Sequence, residues 1–103
     1  MGKPMRIRAR AEGDVVEVKI LISHVMETGF RKDQEGGLVP AHFIQLVTVT
    51  HQGRSVLSAQ WGPGVSANPF LSFKFQGGRK GETLTVGWID NLGDSRSDEA
   101  VVG

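Results

Sequence analysis

No cysteine occurs in the 103 residues, and that one absence removes thiol catalysis, thiolate metal sites and disulfides together. No run approaches the ~20 apolar residues that cross a bilayer as a helix. The opening stretch MGKPMRIRAR lacks an apolar core between its charges and a cleavage site, so no signal peptide is expected there. Read by itself, this start points to the cytoplasm. Charge of one sign is also lacking: 12 Lys and Arg against 11 Asp and Glu leave a net +1, which is not the basic balance of a nucleic-acid binder. A hydrophobic content of 39% excludes the profile of a disordered chain. The length suits one domain, residues 1–103, which buries roughly 60–70% of its unfolded surface and needs no covalent staple.

What is present is punctuation. Fourteen glycines and four prolines separate short stretches of alternating apolar residues, and no window sustains the i, i+3, i+4, i+7 pattern of a helix. The alternation predicts strands over Met5 to Arg10, Val15 to Ser23, Ala41 to Thr50, Arg54 to Trp61, Phe70 to Phe75, Glu82 to Ile89 and Ser95 to Val101. In the first, Arg6, Arg8 and Arg10 alternate with apolar residues and read as a solvated edge-strand face. The third is apolar on both faces, with Phe43, Val47 and Val49 on one and Ile44 and Leu46 on the other, as in a strand buried twice. Gln52-Gly53 predicts a tight hairpin. The fold class expected is all-β: an immunoglobulin- or fibronectin-like antiparallel β-sandwich of about seven strands.

The chemistry-bearing residues form no catalytic pattern. The serines lack a Gly-x-Ser-x-Gly elbow. Gly77, Gly78 and Gly81 join two strands rather than opening a helix, so they make no phosphate loop. The carboxylate pairs Asp90/Asp94, Asp98/Glu99 and Glu27/Asp33 read as turn caps and solvated charge. Three histidines are the soft-metal nitrogens. His42 and His51 stand at the two ends of one strand, roughly 30 Å apart at ~3.3 Å per residue, and cannot share an ion. His24 with Met26 has a His-x-Met spacing suited to copper and supplies two ligands at most. A copper-binding sandwich built on that pair is the alternative reading. No metal, cofactor or catalytic residue is otherwise expected.

The segments ISHVMETGFRKD, VPAHFI, WGPGVSANPFLSFKF and WIDNLGDSRSDE, taken in this order between about residues 5 and 100, resemble the SoxZ family of thiosulfate-oxidation proteins. The resemblance implies a non-catalytic subunit in a tight heterodimer with a SoxY-like carrier. That carrier's glycine-rich arm ends in a cysteine that holds sulfur intermediates for periplasmic enzymes. It implies transient contact with those enzymes; the charge balance and the lack of a long apolar run leave neither nucleic acid nor membrane as an expected partner. This chain ends at Gly103 without a Gly-Gly-Cys-Gly-Gly arm, which fits the non-carrier subunit. A departure is Val25, where proline would be expected after the histidine. Export with the partner's signal would make the location periplasmic. Self-association of the isolated chain is also expected, from its apolar strands.

If consecutive strands run antiparallel, their connections alternate between the two ends of the sandwich. The glycine turns at Gly13, Gly53 and Gly77 to Gly81 then share one end. The connections His24 to Pro40, Gly62 to Pro69 and Asp90 to Asp94 share the other. A 17-residue connection is long for a compact domain and marks a functional candidate. The partner-binding residues expected at that end are His24, Glu27, Arg31, Asp33, Trp61, Asn68, Phe70, Asp90 and Asn91.

Overall fold

Alternation builds the strands, and the direction of their apolar faces builds the two layers. The computed structural model describes residues 2–103; Met1, included in the expected domain, lies outside the described residues. The strands are β1 (Arg6–Glu12), β2 (Val15–Leu21), β3 (Ile44–His51), β4 (Arg54–Gln60), β5 (Phe70–Gln76), β6 (Thr83–Asp90) and β7 (Ser95–Val101). They divide into a three-stranded sheet, β1-β2-β5, and a four-stranded sheet, β4-β3-β6-β7, every pair antiparallel. β4 thus lies beside β3, on the four-stranded layer, unlike the constant-type immunoglobulin arrangement in which the fourth strand joins the sheet of the first two.

The period of two places Val16, Val18 and Ile20 from β2 against Val47 and Val49 from β3 and Leu84, Val86 and Trp88 from β6, none more than 2% exposed. Each such side chain contributes roughly 1.5–3 kcal/mol on burial. The two-sided burial predicted for the third strand is not what forms. The strand begins at Ile44 rather than Ala41, and a bulge between Ile44 and Leu46 inserts Gln45 opposite β6. The extra residue turns both Ile44 and Val47 inward, leaving Leu46 half-buried on the outer face. At the predicted hairpin, Gln52 and Gly53 have φ of 51° and 81°, the left-handed pair that a two-residue turn needs.

The connections fall as strand counting requires. The glycine turns lie at one end, while residues 22–43, 61–69 and 91–94 meet at the other, which we call the loop end. Three hydrogen bonds document the meeting: Asn68 N–H to the His24 carbonyl, Asn91 N–H to the Phe43 carbonyl and Trp61 N–H to the Gln45 carbonyl, each 2.9–3.0 Å. The longest connection is ordered by its own pairing. Glu27 bridges His42 and Lys32 bridges Leu38, both antiparallel. The molecule's long axis is 54 Å, about twice the length of an eight-residue strand, and loop accounts for the excess.

Candidate functional site at the loop end

Asp90, the last residue of β6, is 2% exposed, and a buried carboxylate survives only with its lone pairs occupied. All are. Oδ1 accepts the backbone N–H groups of Leu92 (3.0 Å) and Asp94 (2.9 Å). Oδ2 accepts Nε2–H of His24 (3.0 Å) and of His42 (2.7 Å). Burial pushes this carboxyl up, but the bonds from His24, His42 and Leu92 outweigh burial and hold it below the ordinary carboxylate range. One side chain thereby ties together the β6–β7 turn and both ends of the long connection.

His24 arrives by a matching arrangement. Its ring packs edge-on against Trp88 at 5.1 Å and against His42 at 4.6 Å, and its Nδ1 accepts the backbone N–H of Met26 (3.1 Å). An Nδ1 that accepts leaves the ring proton on Nε2, where Asp90 receives it. Nitrogen and carboxylate atoms of His24, His42 and Asp90 lie within 4.8 Å of one another, close enough for an ion to bridge. Ligation through His24 Nε2 would, however, move the proton to Nδ1, against the Met26 amide. The group beside the other nitrogen of a metal-bound histidine normally accepts that proton; here that group is the Met26 N–H, itself a donor. Nor does His24 join Met26 in the copper pair considered from sequence. Met26 is 5% exposed and adopts a φ of 50°, and its sulfur points inward, accepting the Ile44 N–H (3.4 Å). The grouping that forms, His24 with His42, was hidden because sequence spacing compares His42 only with its own strand.

The other sequence-derived site residues spread across this end. Asn68, at φ 52°, accepts the His24 N–H on Oδ1 (3.1 Å). Asn91 holds residues 41–43 through Phe43 N–H to Oδ1 (2.8 Å) and Nδ2–H to the Ala41 carbonyl (2.9 Å). Glu27 and Arg31 form a two-pronged ion pair, 2.7–2.9 Å, and the bond from Arg31 lowers the Glu27 carboxyl. Asp33 caps the tip of the loop by accepting Glu35 and Gly37 N–H, both 2.9 Å. Trp61 is partly buried against the core. Phe70 sits apart, opening β5 and exposed on the outer face of the three-stranded sheet beside Leu21.

What the pins leave uncovered includes apolar side chains among the exposed Arg31, Lys32, Asp33 and Glu35. Among the described residues the exposed large hydrophobics are Leu21, Val25, Phe30, Leu38, Phe70, Ile89, Leu92 and Val101, and all except Val101 belong to the loop end or the strand termini next to it, with Leu21 and Phe70 on the three-stranded layer. Phe30 is 84% exposed. An open groove of about 810 Å³ has Val25 and Leu92 of these in its lining, together with Pro40, His42, Asn68 and the charged Arg31. Sequence reasoning missed Phe30, Leu38 and Leu92, although an aromatic and two leucines inside polar loops, outside any alternation, were a usable signal.

The outer face of the four-stranded sheet continues this surface. Across β4, β3, β6 and β7 its rows read Gln60-Leu46-Ile89-Ser95, Ser58-Thr48-Gly87-Ser97 and Ser55-Thr50-Thr85-Glu99. Glu99 is their only charge. Gly87, with no side chain, leaves a depression of about 630 Å³ bordered by Leu46, Thr48, Ile89, Ser95, Ser97 and Arg96, whose guanidinium is paired with Asp98. Depletion of charge over a flat, partly apolar area is the composition of an interface core rather than of free surface.

Among known proteins, the family model described as sulphur oxidation protein SoxZ matches residues 5–101. No curated protein matches. Solved structures share the fold. One is superoxide reductase in the oxidized state, 18% identical with a TM-score of 0.65, covering 96% of this chain and 86% of that one. Another is a mutant superoxide reductase (neelaredoxin) from Archaeoglobus fulgidus in the reduced form, 24% identical with a TM-score of 0.64, covering 98% and 89%.

Proposed function

This chain belongs to the SoxZ family of sulphur oxidation proteins, and from that premise we propose that it is the non-catalytic subunit of a heterodimeric sulfur carrier. Its partner is a SoxY-like subunit whose cysteine arm holds the sulfur intermediates during thiosulfate oxidation in the periplasm. The chain lacks a thiol to carry sulfur itself, so its contribution is to bind and present the carrier.

The observation that carries this reading is the gathering of the exposed side chains Val25, Phe30, Leu38 and Leu92 at the loop end, where the outer face of the four-stranded sheet, which carries one charge (Glu99) in its three rows, meets them at Leu46 and Ile89. Exposed apolar side chains gathered at one end of a small domain mark an interaction site. The buried His24 and Asp90, with Asn68 and Asn91 beside them, hold the loops in shape, so the surface is preformed and little ordering cost accompanies docking.

Mixing the chain with a SoxY-like carrier and weighing the product by native mass spectrometry tests the reading. A one-to-one complex is expected, and Ser97→Lys, which puts an ammonium on the β7 edge of the four-stranded sheet's outer face beside Gly87, should reduce its abundance. Absence of a complex with the wild-type chain would overturn the proposal.

A further inference from the structure

The opposite layer carries a surface of contrary character. Along the outer face of β1-β2-β5 the pairing register sets Arg6 beside Leu21 and Phe70, then Arg8 beside Lys19 and Ser72, then Arg10 beside Glu17 and Lys74. Glu12 closes the far row with Val15 and Gln76. Five cations thus share one face with two carboxylates, a surplus of three on a chain whose total is +1. Among the described residues, Arg6, Arg8, Arg10 and Lys74 have no ion-pair partner, and Lys19 reaches only Glu17, at 3.8 Å.

Solubility and edge protection explain part of this arrangement. β1 is an edge strand, and arginines there discourage strand addition. β2 is the central strand, however, and Lys19 guards no edge. It stands directly across the antiparallel pair from Arg8, and like charges so placed destabilise a sheet by roughly 0.2–1 kcal/mol. Threonine at either position would remove the repulsion and suit the strand better. A local rule broken without a structural return is the mark of a functional surface.

We propose that this face is a second docking surface, for a protein partner that presents carboxylates around an apolar side chain. A depression of about 270 Å³ has the exposed pair Leu21 and Phe70 as its apolar part and Arg6, Arg8 and Lys19 as its charged part. The occupant it fits is an acidic segment with one apolar residue: the apolar group covers Leu21 and Phe70, and the flanking carboxylates meet the three cations. Nucleic acid is disfavoured because Glu17 and Glu12 interrupt the cationic area and Phe70 is its only aromatic. Lying on the opposite layer, with Leu21 and Phe70 on its own side, this surface stays free while the face of the four-stranded sheet is occupied. Exposed cations accelerate encounter more than they deepen affinity, so the partner is a transient one.

The test uses the full chain and a fluorescein-labelled heptapeptide of six glutamates around a central leucine, followed by anisotropy at low salt. Binding is expected, weakening about tenfold or more as salt shrinks the Debye length from ~10 Å to a few ångström. The double variant Arg8→Glu with Lys19→Glu keeps a like-charged cross-strand pair, so the fold experiences the same repulsion, and it should lose the peptide at least tenfold. Lys80→Glu, outside this face, should bind as the wild type does. The proposal fails if the peptide is not bound at low salt. It fails equally if the double variant binds as well as the wild type, or if single-stranded DNA or anionic vesicles bind more tightly than the peptide.

Discussion

His24 Nε2 and Asp90 Oδ2, 66 positions apart in the chain, meet at 3.0 Å inside the loop end. His42 reaches the same oxygen at 2.7 Å, and the opposite carboxylate oxygen takes two backbone N–H groups from the β6–β7 turn. Four donors on one buried carboxylate constrain what any replacement can do.

Asp90→Asn is expected to destabilise the protein by about 2–4 kcal/mol. An amide has one accepting oxygen. Whichever way it is oriented, its NH₂ group faces two donors, the imidazoles or the turn amides. His24 cannot relieve this by exchanging its ring proton, because Nδ1 already accepts from Met26. Urea denaturation measures the loss; a change below about 0.5 kcal/mol, the size of an ordinary surface substitution, would contradict the arrangement.

Acid should weaken the wild type through the same group. The Asp90 carboxyl is held below its ordinary value when folded, so its contribution is present in full above the unfolded carboxyl pKa of about 3.9 and disappears as pH falls through the lower, folded value. Asp98 adds in the same direction, lowered by the Arg96 hydrogen bond despite its partial burial. Denaturation midpoints followed from neutral pH into the acid range should fall in the wild type. The fall should be shallower in Asp90→Asn, and parallel curves would remove Asp90 from the account.

Zinc should not stabilise the chain. The ring proton of His24 resides on Nε2 and faces Asp90, so an ion there would have to displace it against the Met26 amide. Long-range ¹⁵N correlation spectra should place the proton on Nε2, and equimolar zinc should leave the thermal midpoint unchanged. A rise of several degrees that disappears in His42→Ala would show that the three residues do hold metal.

Covalent sulfur should not accumulate on this chain. Without cysteine there is no thiolate to attack a sulfur donor, so its intact mass is expected to be unchanged after incubation with thiosulfate and the pathway enzymes when the carrier is omitted. An adduct of one or more sulfur atoms would contradict the non-carrier role.

Most of the fold was legible because it follows from a period of two and from turn chemistry. Val16-Val18-Ile20 and Leu84-Val86-Trp88 alternate into the core, and the Gln52-Gly53 turn forms as its residues require. The clustering of three loops also followed from counting antiparallel strands. The bulge at Gln45 was not legible, because nothing in Phe43-Ile44-Gln45-Leu46 distinguishes a slipped register from a strand buried twice. The His24–Asp90–His42 contact was invisible for a related reason. It depends on how a long connection returns across two strand ends, whereas spacing along the sequence compares only residues on one element. Phe30 and Leu38 were overlooked because the polar residues of the same loop, Glu27, Arg31 and Asp33, drew the functional reading, and the structure bonds those three within the chain.

The most direct test of the central claim is calorimetric titration of a SoxY-like carrier into the wild-type chain and into Phe30→Asp and Leu92→Lys, two substitutions of exposed side chains; the Leu92 bond to Asp90 comes from its backbone N–H, which lysine keeps. The account predicts that each variant retains its thermal midpoint and binds the carrier at least tenfold more weakly, about 1.4 kcal/mol or more. Wild-type affinity in both variants would contradict docking at the loop end.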